Sequence, residues 1–176
     1  ETVWRQADKY KVPKIAFINK LDRIGADFFG TVQMMRDRLN AIPLILQIPA
    51  GSEDNFSGVV DLIQMQQIRW DDDTLGASFS AGEIDASLRE EAEIYRDQLL
   101  ETLAETDDQI MEAYLSEVPI DADTIMAAIR KATVGLKLVP VLCGSALKNK
   151  GIQPLLDAIV HFLPSPADVP AIKGTH

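Results

Sequence analysis

Two short apolar segments, each followed at once by a polar loop, constrain the fold of this 176-residue chain more than any other feature. Residues 14–19 and residues 138–143 have the largely apolar composition of strands that are buried on both faces of a parallel sheet. A helical pattern follows each segment, capped by Asp27 in the first case and covering residues 152–162 in the second. Strand, loop and helix in this order predict an α/β fold, part of a doubly wound parallel sheet. In such sheets, ligands bind at the loops that follow the carboxyl ends of the strands.

About ninety residues between these two segments follow a different pattern. Two stretches have the composition of strands, at residues 42–48 and 59–70, and a turn-rich stretch separates them. Three helical patterns come next, over residues 86–104, 107–115 and 122–132. The sequence therefore predicts an α+β subdomain inserted into the α/β fold.

Two local patterns predict finer details of the helices. The stretch Thr106-Asp107-Asp108-Gln109 fits a capping box, in which the threonine hydroxyl and the glutamine side chain each bond to an unpaired backbone N–H group. In the last helix, four apolar residues are predicted to face the core: Leu155, Leu156, Ile159 and Val160.

These patterns predict a division of the chain into three parts. Residues 1–41 and 135–163 form the α/β part, residues 42–134 form the insertion, and the Pro-rich residues 164–176 form a linker. The chain begins inside a helical pattern and ends in this linker. We therefore expect it to be a piece of a longer protein, a sheet that lacks its N-terminal half and is either monomeric or associated through its bare edge.

Composition and charge exclude several classes of protein. No apolar run approaches the roughly 18 residues that a membrane helix needs, and a single cysteine, Cys143, cannot form an internal disulfide. A cytoplasmic location is the simplest expectation. The net charge is −10, but 17 acidic and 4 basic residues lie within residues 71–131, so the negative charge belongs to the insertion.

The tetrapeptide Asn19-Lys20-Leu21-Asp22, directly after the first strand, carries the most chemical information. A carboxylate at the rim of a pocket can accept hydrogen bonds from N1–H and the 2-amino group of guanine, whereas adenine offers no such pair of donors. Asn19 can tie the loop together, and Lys20 can lay its aliphatic stem along the face of the base. The alternative is structural, with Asp22 as a helix cap and Asn19 as a turn residue.

The loop after the second strand can complete such a pocket. Ser145 can brace Asp22 through its hydroxyl, and the backbone N–H of Ala146 can point at the O6 atom of guanine. Since both loops follow parallel strands, the paired arrangement favours base recognition over the structural alternative.

The residues around both loops resemble translation elongation factor G, over essentially the whole chain. The matching residues are 19–29 and 139–158, together with 1–7 and 163–166. The resemblance implies the part of a P-loop GTPase-like domain that binds the guanine of GTP or GDP, with an inserted subdomain. By this resemblance the guanine-binding residues are Asn19, Lys20, Asp22, Ser145, Ala146 and Leu147. The intact family member is a GTPase that drives translocation of tRNA and mRNA on the ribosome.

The parts of a GTPase that act on phosphate are missing from this sequence. No Gly-x-x-x-x-Gly-Lys-[Ser/Thr] motif occurs, and no Asp-x-x-Gly sequence in the chain is accompanied by the catalytic histidine of the family's switch segment. The sequence therefore predicts no catalytic residue and no Mg²⁺ ligand here, and no GTP hydrolysis by this chain alone.

An acidic helix face in the insertion is the second candidate site. Four acidic residues follow one another at intervals of four: Glu93, Asp97, Glu101 and Glu105. Such a face is either simply solvated or a docking surface for a basic partner. The resemblance implies docking of the ribosomal stalk protein. Two alternatives stay open: a non-catalytic acidic docking module with an idle guanine loop, and the equivalent piece of a related ribosome-associated GTPase.

Overall fold

The computed structural model describes residues 1–71 and 76–168. The described helices are α1 (Thr2–Lys9), α2 (Phe28–Leu39), α3 (Ala86–Ala104), α4 (Asp108–Leu115), α5 (Ala122–Val134) and α6 (Ile152–Phe162). The described strands are β1 (Ala16–Ile18), β2 (Pro43–Ile45), β3 (Gln47–Ala50), β4 (Gly58–Asp61), β5 (Gln66–Trp70), β6 (Phe79–Gly82) and β7 (Val139–Cys143). A 3₁₀ turn covers Glu53–Asn55.

A three-stranded parallel sheet with the order β1-β7-β2 forms the α/β part. Both predicted apolar segments are strands of this sheet, and they are direct neighbours, with Ile18 opposite Cys143. All five residues of β7 are buried because it is the central strand, which explains its continuous apolar composition. The predicted α/β fold is confirmed, and both polar loops leave the same edge of the sheet.

An antiparallel sheet with the order β3-β4-β5-β6 forms the first half of the insertion. The predicted strand over residues 59–70 is in fact a hairpin, since Asp61 accepts hydrogen bonds from the N–H groups of Ile63 (2.7 Å) and Gln64 (3.0 Å) and turns the chain. Strand β6 was not predicted, because it has only four residues, all of them exposed, and Phe79 is its one large apolar side chain. Residues 72–75, which include two of the three aspartates of an acidic run, lie outside the described part of the chain.

The predicted strand over residues 42–48 is two strands in two different sheets. Leu46 separates them, and its backbone serves both sheets: its N–H donates to the Val141 carbonyl (3.0 Å), and its carbonyl accepts from the Leu62 N–H (3.0 Å). Strand β2 pairs with β7 in parallel and β3 pairs with β4 in antiparallel orientation. We therefore propose that the insertion begins after Ile45 rather than at residue 42.

The predicted capping box is wrong in its residues. Asp107, not Thr106, caps α4, and its carboxylate accepts from the N–H groups of Gln109 (3.1 Å) and Ile110 (3.3 Å). The Thr106 hydroxyl instead donates to the Leu103 carbonyl (2.9 Å) and ends the helix before it. An aspartate competes with a threonine for the same position, and the sequence pattern alone did not decide between them.

The predicted inward face of α6 is wrong at three of its four residues, since only Leu155 packs against the core. Leu156, Ile159 and Val160 are 57%, 40% and 76% exposed, and Leu155 is half-buried. The buried residues are Ala158 and Phe162, and α6 packs against α5. Helical spacing predicted that this segment is amphipathic but not which side meets the rest of the described chain.

One hydrophobic core runs through both parts of the chain. It joins Val32 of α2, Val141 of β7, Val59 of β4 and Ile129 of α5, each at most 1% exposed. The two sheets and the helices therefore support one another, and the base of the insertion is continuous with the parallel sheet. Within the described ranges, no helix combines the length and the apolar composition that crossing a bilayer requires.

Candidate functional site

Strands β1 and β7 place the two polar loops side by side. Because Ile18 lies opposite Cys143, the loops begin at the same height in the sheet. Hydrogen bonds then cross between them: the Gly144 N–H donates to the Ile18 carbonyl (3.0 Å), and the Leu21 N–H donates to the Gly144 carbonyl (3.2 Å). The structure therefore brings together the two sequence segments that were predicted to form one site.

The side chain of Asn19 ties the two loops together. Its Oδ1 atom accepts from the N–H of Lys20 (2.8 Å) and from the N–H of Ala146 (2.9 Å). Lys20 adopts a left-handed conformation with φ 66°, and its side chain is exposed. A non-glycine residue held in this region marks a loop whose shape is imposed by its surroundings.

Asp22 and Ser145 lie on the two adjoining loops, and Ser145 affects the ionisation of Asp22. The hydrogen bond from the Ser145 side chain, with a smaller contribution from the positive charges of Lys148 and Arg23, keeps the pKa of Asp22 below its ordinary value although partial desolvation opposes this. Ser145 is fully buried, so its hydroxyl is held in place. The carboxylate of Asp22 is therefore ionised at neutral pH and available as an acceptor.

One backbone donor of the second loop already has an acceptor within the protein. The Ala146 N–H donates to Asn19, so a ligand oxygen would have to share this donor. The next residue, Leu147, is 79% exposed and lies at the rim of the loop. The structure thus places all six predicted guanine-binding residues on the two adjoining loops.

Two glycines permit the tight return of the second loop from β7 to α6. A Cβ atom on Gly144 would lie 2.2 Å from the Lys150 carbonyl oxygen and 2.9 Å from the Phe17 ring. Gly151 has φ +90°, and a Cβ there would lie 2.6 Å from the Cys143 carbonyl oxygen. The reciprocal backbone hydrogen bonds between Ser145 and Lys150, each 2.9 Å, close the loop that these glycines allow.

Comparison with known proteins agrees with this geometry. Residues 1–165 match the family described as the elongation factor Tu GTP binding domain. The chain belongs to this family.

Individual relatives make the likeness more specific. Elongation factor G of Anaplasma marginale, strain Florida, is 56% identical over 174 residues, 99% of this chain, and the same protein of strain St. Maries is equally similar. The chain spans 25% of the length of each of these relatives. A crystal structure of a Thermus thermophilus protein has a TM-score of 0.81 and 25% identity, and the match covers 95% of this chain and 24% of that one. The predicted resemblance to elongation factor G is confirmed.

Sequence reasoning missed two residues that contact the loops of this GTP-binding domain. Glu53 donates its N–H to the Leu21 carbonyl (2.8 Å), and its carboxylate accepts from the Gly25 N–H (2.8 Å). Lys150 is only 3% exposed, and its ammonium group donates to the Phe56 carbonyl (3.3 Å). In the sequence both are ordinary charged residues in turns, and no local pattern distinguishes them.

The acidic face predicted for the insertion of this family member lies along α3 and its C-terminal cap. All four of its residues, Glu93, Asp97, Glu101 and Glu105, are exposed. Asp97 accepts a hydrogen bond from the Tyr114 hydroxyl (3.1 Å), which ties α3 to α4. Desolvation, together with this bond and the negative charges of Asp97 and Glu101, raises the pKa of Tyr114. The face is therefore negative and rests on a fixed helix pair.

Metal-binding clusters and thiols are two other kinds of reactive group. Across residues 1–71 and 76–168, no three histidine, cysteine, aspartate or glutamate side chains form a group that could hold a metal ion. Cys143 lies in the central strand at 0% exposure, and burial raises the pKa of its thiol. A protonated and buried thiol is a core residue rather than a nucleophile.

Proposed function

We propose that this chain is the guanine-recognising part of a translational GTPase of the elongation factor G type, and that Asp22 reads the base. The observation that carries the proposal is that the loops carrying Asp22 and Ser145 are joined by two hydrogen bonds, one from the Ala146 N–H to Asn19 and one from the Leu21 N–H to the Gly144 carbonyl. These bonds hold the Asp22 carboxylate at a rim formed by two adjacent strand ends. That is where ligands of parallel sheets bind.

Asp22 selects guanine through the pattern of donors that the base presents. The carboxylate accepts from N1–H and from the 2-amino group, in two parallel charge-assisted hydrogen bonds. Adenine presents a lone pair at N1 and no amino group at C2, so the same carboxylate would be desolvated without a donor. Sites of this kind reject the wrong analogue strongly because their polar group is left unpaired.

The other loop residues fix the base in the plane that Asp22 needs. The aliphatic stem of Lys20 covers one face of the base, and Asn19 keeps the two loops in register. The donors for the O6 atom are the backbone N–H of Leu147 and that of Ala146, which the base would share with Asn19. Ser145 acts on Asp22 and not on the base, because its side chain is fully buried.

The test is the substitution Asp22→Asn in the longer protein that we propose contains this chain. An amide at this position offers a donor where the carboxylate was an acceptor. We expect GDP affinity to fall by about 100-fold or more and xanthosine diphosphate to become the preferred ligand. Equilibrium titration with both nucleotides measures the change, and Asp157→Asn, an exposed substitution on α6, is the matched control. An unchanged preference would show that Asp22 does not contact the base.

Hydrolysis and translocation belong, in this proposal, to the longer protein. Phosphoryl transfer depends on positioning and on charge neutralisation at the phosphates, and the 176-residue sequence contains no phosphate-binding loop motif. We expect the isolated chain to show no GTP turnover above background. Turnover by the purified chain that depends on Mg²⁺ would contradict this part of the proposal.

A docking role for the insertion is the second candidate function, and the exposed acidic face on α3 favours it. A face with four carboxylates attracts a basic partner and raises its rate of association, and the resemblance to elongation factor G points to the ribosomal stalk protein. Reversal of Glu93, Asp97 and Glu101 to Lys should slow association with ribosomes, and Asp157→Lys should not. If both variants associate with ribosomes at the same rate at low salt, the acidic face is not a docking surface and is simply solvated.

A further inference from the structure

The first turn of the insertion contacts the loop that carries Asp22. We call residues 52–56, which contain the 3₁₀ turn Glu53–Asn55, the brace segment. Glu53 makes two hydrogen bonds of 2.8 Å to that loop, one from its N–H to the Leu21 carbonyl and one from the Gly25 N–H to its carboxylate. Leu21 and Gly25 lie on either side of Asp22, so Glu53 holds the backbone both before and after the proposed base-reading residue.

The same brace segment contacts the loop that carries Ser145. Lys150, at the end of that loop, is 3% exposed, and its ammonium group donates to the Phe56 carbonyl at 3.3 Å. Lys150 is also joined to Ser145 by two backbone hydrogen bonds. A lysine is buried in this way only when its charge is satisfied by acceptors, so its position is specified by the fold.

A second part of the insertion holds the far side of the Ser145 loop. The Gly76 carbonyl accepts from the Asn149 side chain (3.2 Å) and from the Gln153 side chain (3.1 Å). The Gln153 side chain in turn accepts from the Trp70 indole N–H (3.1 Å). Both proposed base-reading loops are therefore attached to the insertion by hydrogen bonds, in addition to the strands that carry them.

We propose that Glu53 and Lys150 are positioning residues for guanine, through which the insertion sets the geometry of the pocket. The inference rests on the function proposed above, since it assigns these residues a role in the same site. Neither side chain needs to touch the nucleotide. Each acts on the loop backbone, Glu53 on the Asp22 loop and Lys150 on the Ser145 loop, and a bidentate contact tolerates only a small displacement of its acceptor.

The test compares substitutions that differ only in the bracing contact. Glu53 has φ +54°, a strained backbone conformation for a non-glycine residue. The two substitutions compared at this position must therefore both have unbranched side chains, so that the backbone strain is the same in each. Glu53→Met removes the acceptor for the Gly25 N–H, whereas Glu53→Gln keeps an acceptor oxygen at the same distance along the side chain. Lys150→Met removes the ammonium donor and keeps the apolar stem. Asp54→Asn, an exposed neighbour within the brace segment, is the control.

Two measurements on the longer protein separate positioning from stability. The first is the rate of GDP release, followed with a fluorescent GDP. The second is the ratio of affinities for GDP and inosine diphosphate, which lacks the 2-amino group and so reports on the contact with Asp22. We expect Glu53→Met and Lys150→Met to release GDP about tenfold faster and to lower the ratio. Glu53→Gln and Asp54→Asn should stay within about twofold of the parent in both measurements.

The outcomes distinguish the inference from the function on which it rests. If Asp22→Asn switches the preference to xanthine but Glu53→Met and Lys150→Met leave both measurements unchanged while lowering the melting temperature, the two residues are merely structural and the inference is wrong. If Asp22→Asn changes nothing, the proposed function itself fails. Should Lys150→Met not fold, the Glu53 pair decides alone, because Glu53→Gln must restore what Glu53→Met removes.

Discussion

Replacing Gly144 by Ala tests whether the Ser145 loop is held as tightly as the structure indicates. An added Cβ would lie 2.2 Å from the Lys150 carbonyl oxygen, whereas ordinary van der Waals contacts of a Cβ begin at 3.4 Å. It would also lie 2.9 Å from the Phe17 ring and 3.2 Å from the Gly151 Cα atom. Two of these three neighbours are backbone atoms of the loop, so no side-chain rotation relieves the closest contact.

The magnitude follows from the cost of inserting a methyl group into a packed site. Such overpacking costs about 1–3 kcal/mol, and we expect the upper end, about 3 kcal/mol, because backbone must move by roughly 1 Å. For a domain of this size, lowering the free energy of unfolding by about 3 kcal/mol lowers the Tm by about 6–12 °C. The shift would also displace Ser145, next in the chain, and so weaken its hydrogen bond to Asp22.

Thermal and urea unfolding of three variants would measure this. Gly82→Ala on β6 is the control for the alanine itself, since nothing lies within 4 Å of the added Cβ. Gly25→Ala isolates backbone strain, since its φ is +81° and its Cβ also meets nothing within 4 Å, and we expect a cost of about 1 kcal/mol. The predicted order of stability is therefore Gly82→Ala, Gly25→Ala, Gly144→Ala. A Gly144→Ala protein as stable as Gly82→Ala would refute the close packing inferred for this loop.

Two further predictions concern the insertion and the central strand. Asp107→Ala should lower the free energy of unfolding by about 1 kcal/mol through loss of the α4 cap, whereas Asp107→Asn, which can still cap, should lose less. The hydrogen bond from Lys131 holds the pKa of Asp107 below its ordinary 3.8, so this carboxylate stabilises the fold above that pH. Its contribution is lost as the pH falls through the folded-state pKa, and urea unfolding across this range should show the difference between parent and Asp107→Asn shrink to zero. Cys143 should not react with a thiol reagent in the native protein at neutral pH and should react on unfolding, because it is fully buried and its thiol pKa is raised; rapid native labelling would contradict its placement in β7.

The sequence predicted the parallel strands and their loops well, for a local physical reason. Residues 14–19 and 138–143 contain β1 and β7, whose apolar composition matches burial on both sides of a sheet. Their adjacency followed from the fold class, and so did the placement of the loops that carry Asp22 and Ser145 side by side. The cap at Asp27 was equally local, since its carboxylate accepts from the Gly30 N–H three residues on (2.8 Å).

Features decided by distant contacts could not be predicted in this way. Residues 42–48 read as one strand because nothing in their composition marks Leu46 as the point where the chain leaves one sheet for another. The exposed strand β6 is too short, at four residues, to give a clear apolar pattern. The orientation of α6 depends on α5, where the Arg130 guanidinium donates to the carbonyls of His161 (2.9 Å) and Leu163 (3.0 Å). A hydrophobic period reports that a helix is amphipathic but not what lies beside it.

The contrast between Asp22 and Lys150 shows where local reasoning ends at the candidate site. Asp22 lies in a tetrapeptide whose spacing predicts base recognition, whereas one acceptor of Lys150 is the carbonyl of Phe56, 94 residues earlier in the chain. Because Lys150 is buried, its ammonium group must lie beside acceptors in the protein. Its burial is visible only in the fold and not in the sequence. The insertion therefore does more than add an acidic surface to the domain: through Glu53 and Phe56 it supports the loops on which the proposed guanine site is built, so substitutions within residues 52–56 should affect that site before they affect the acidic face.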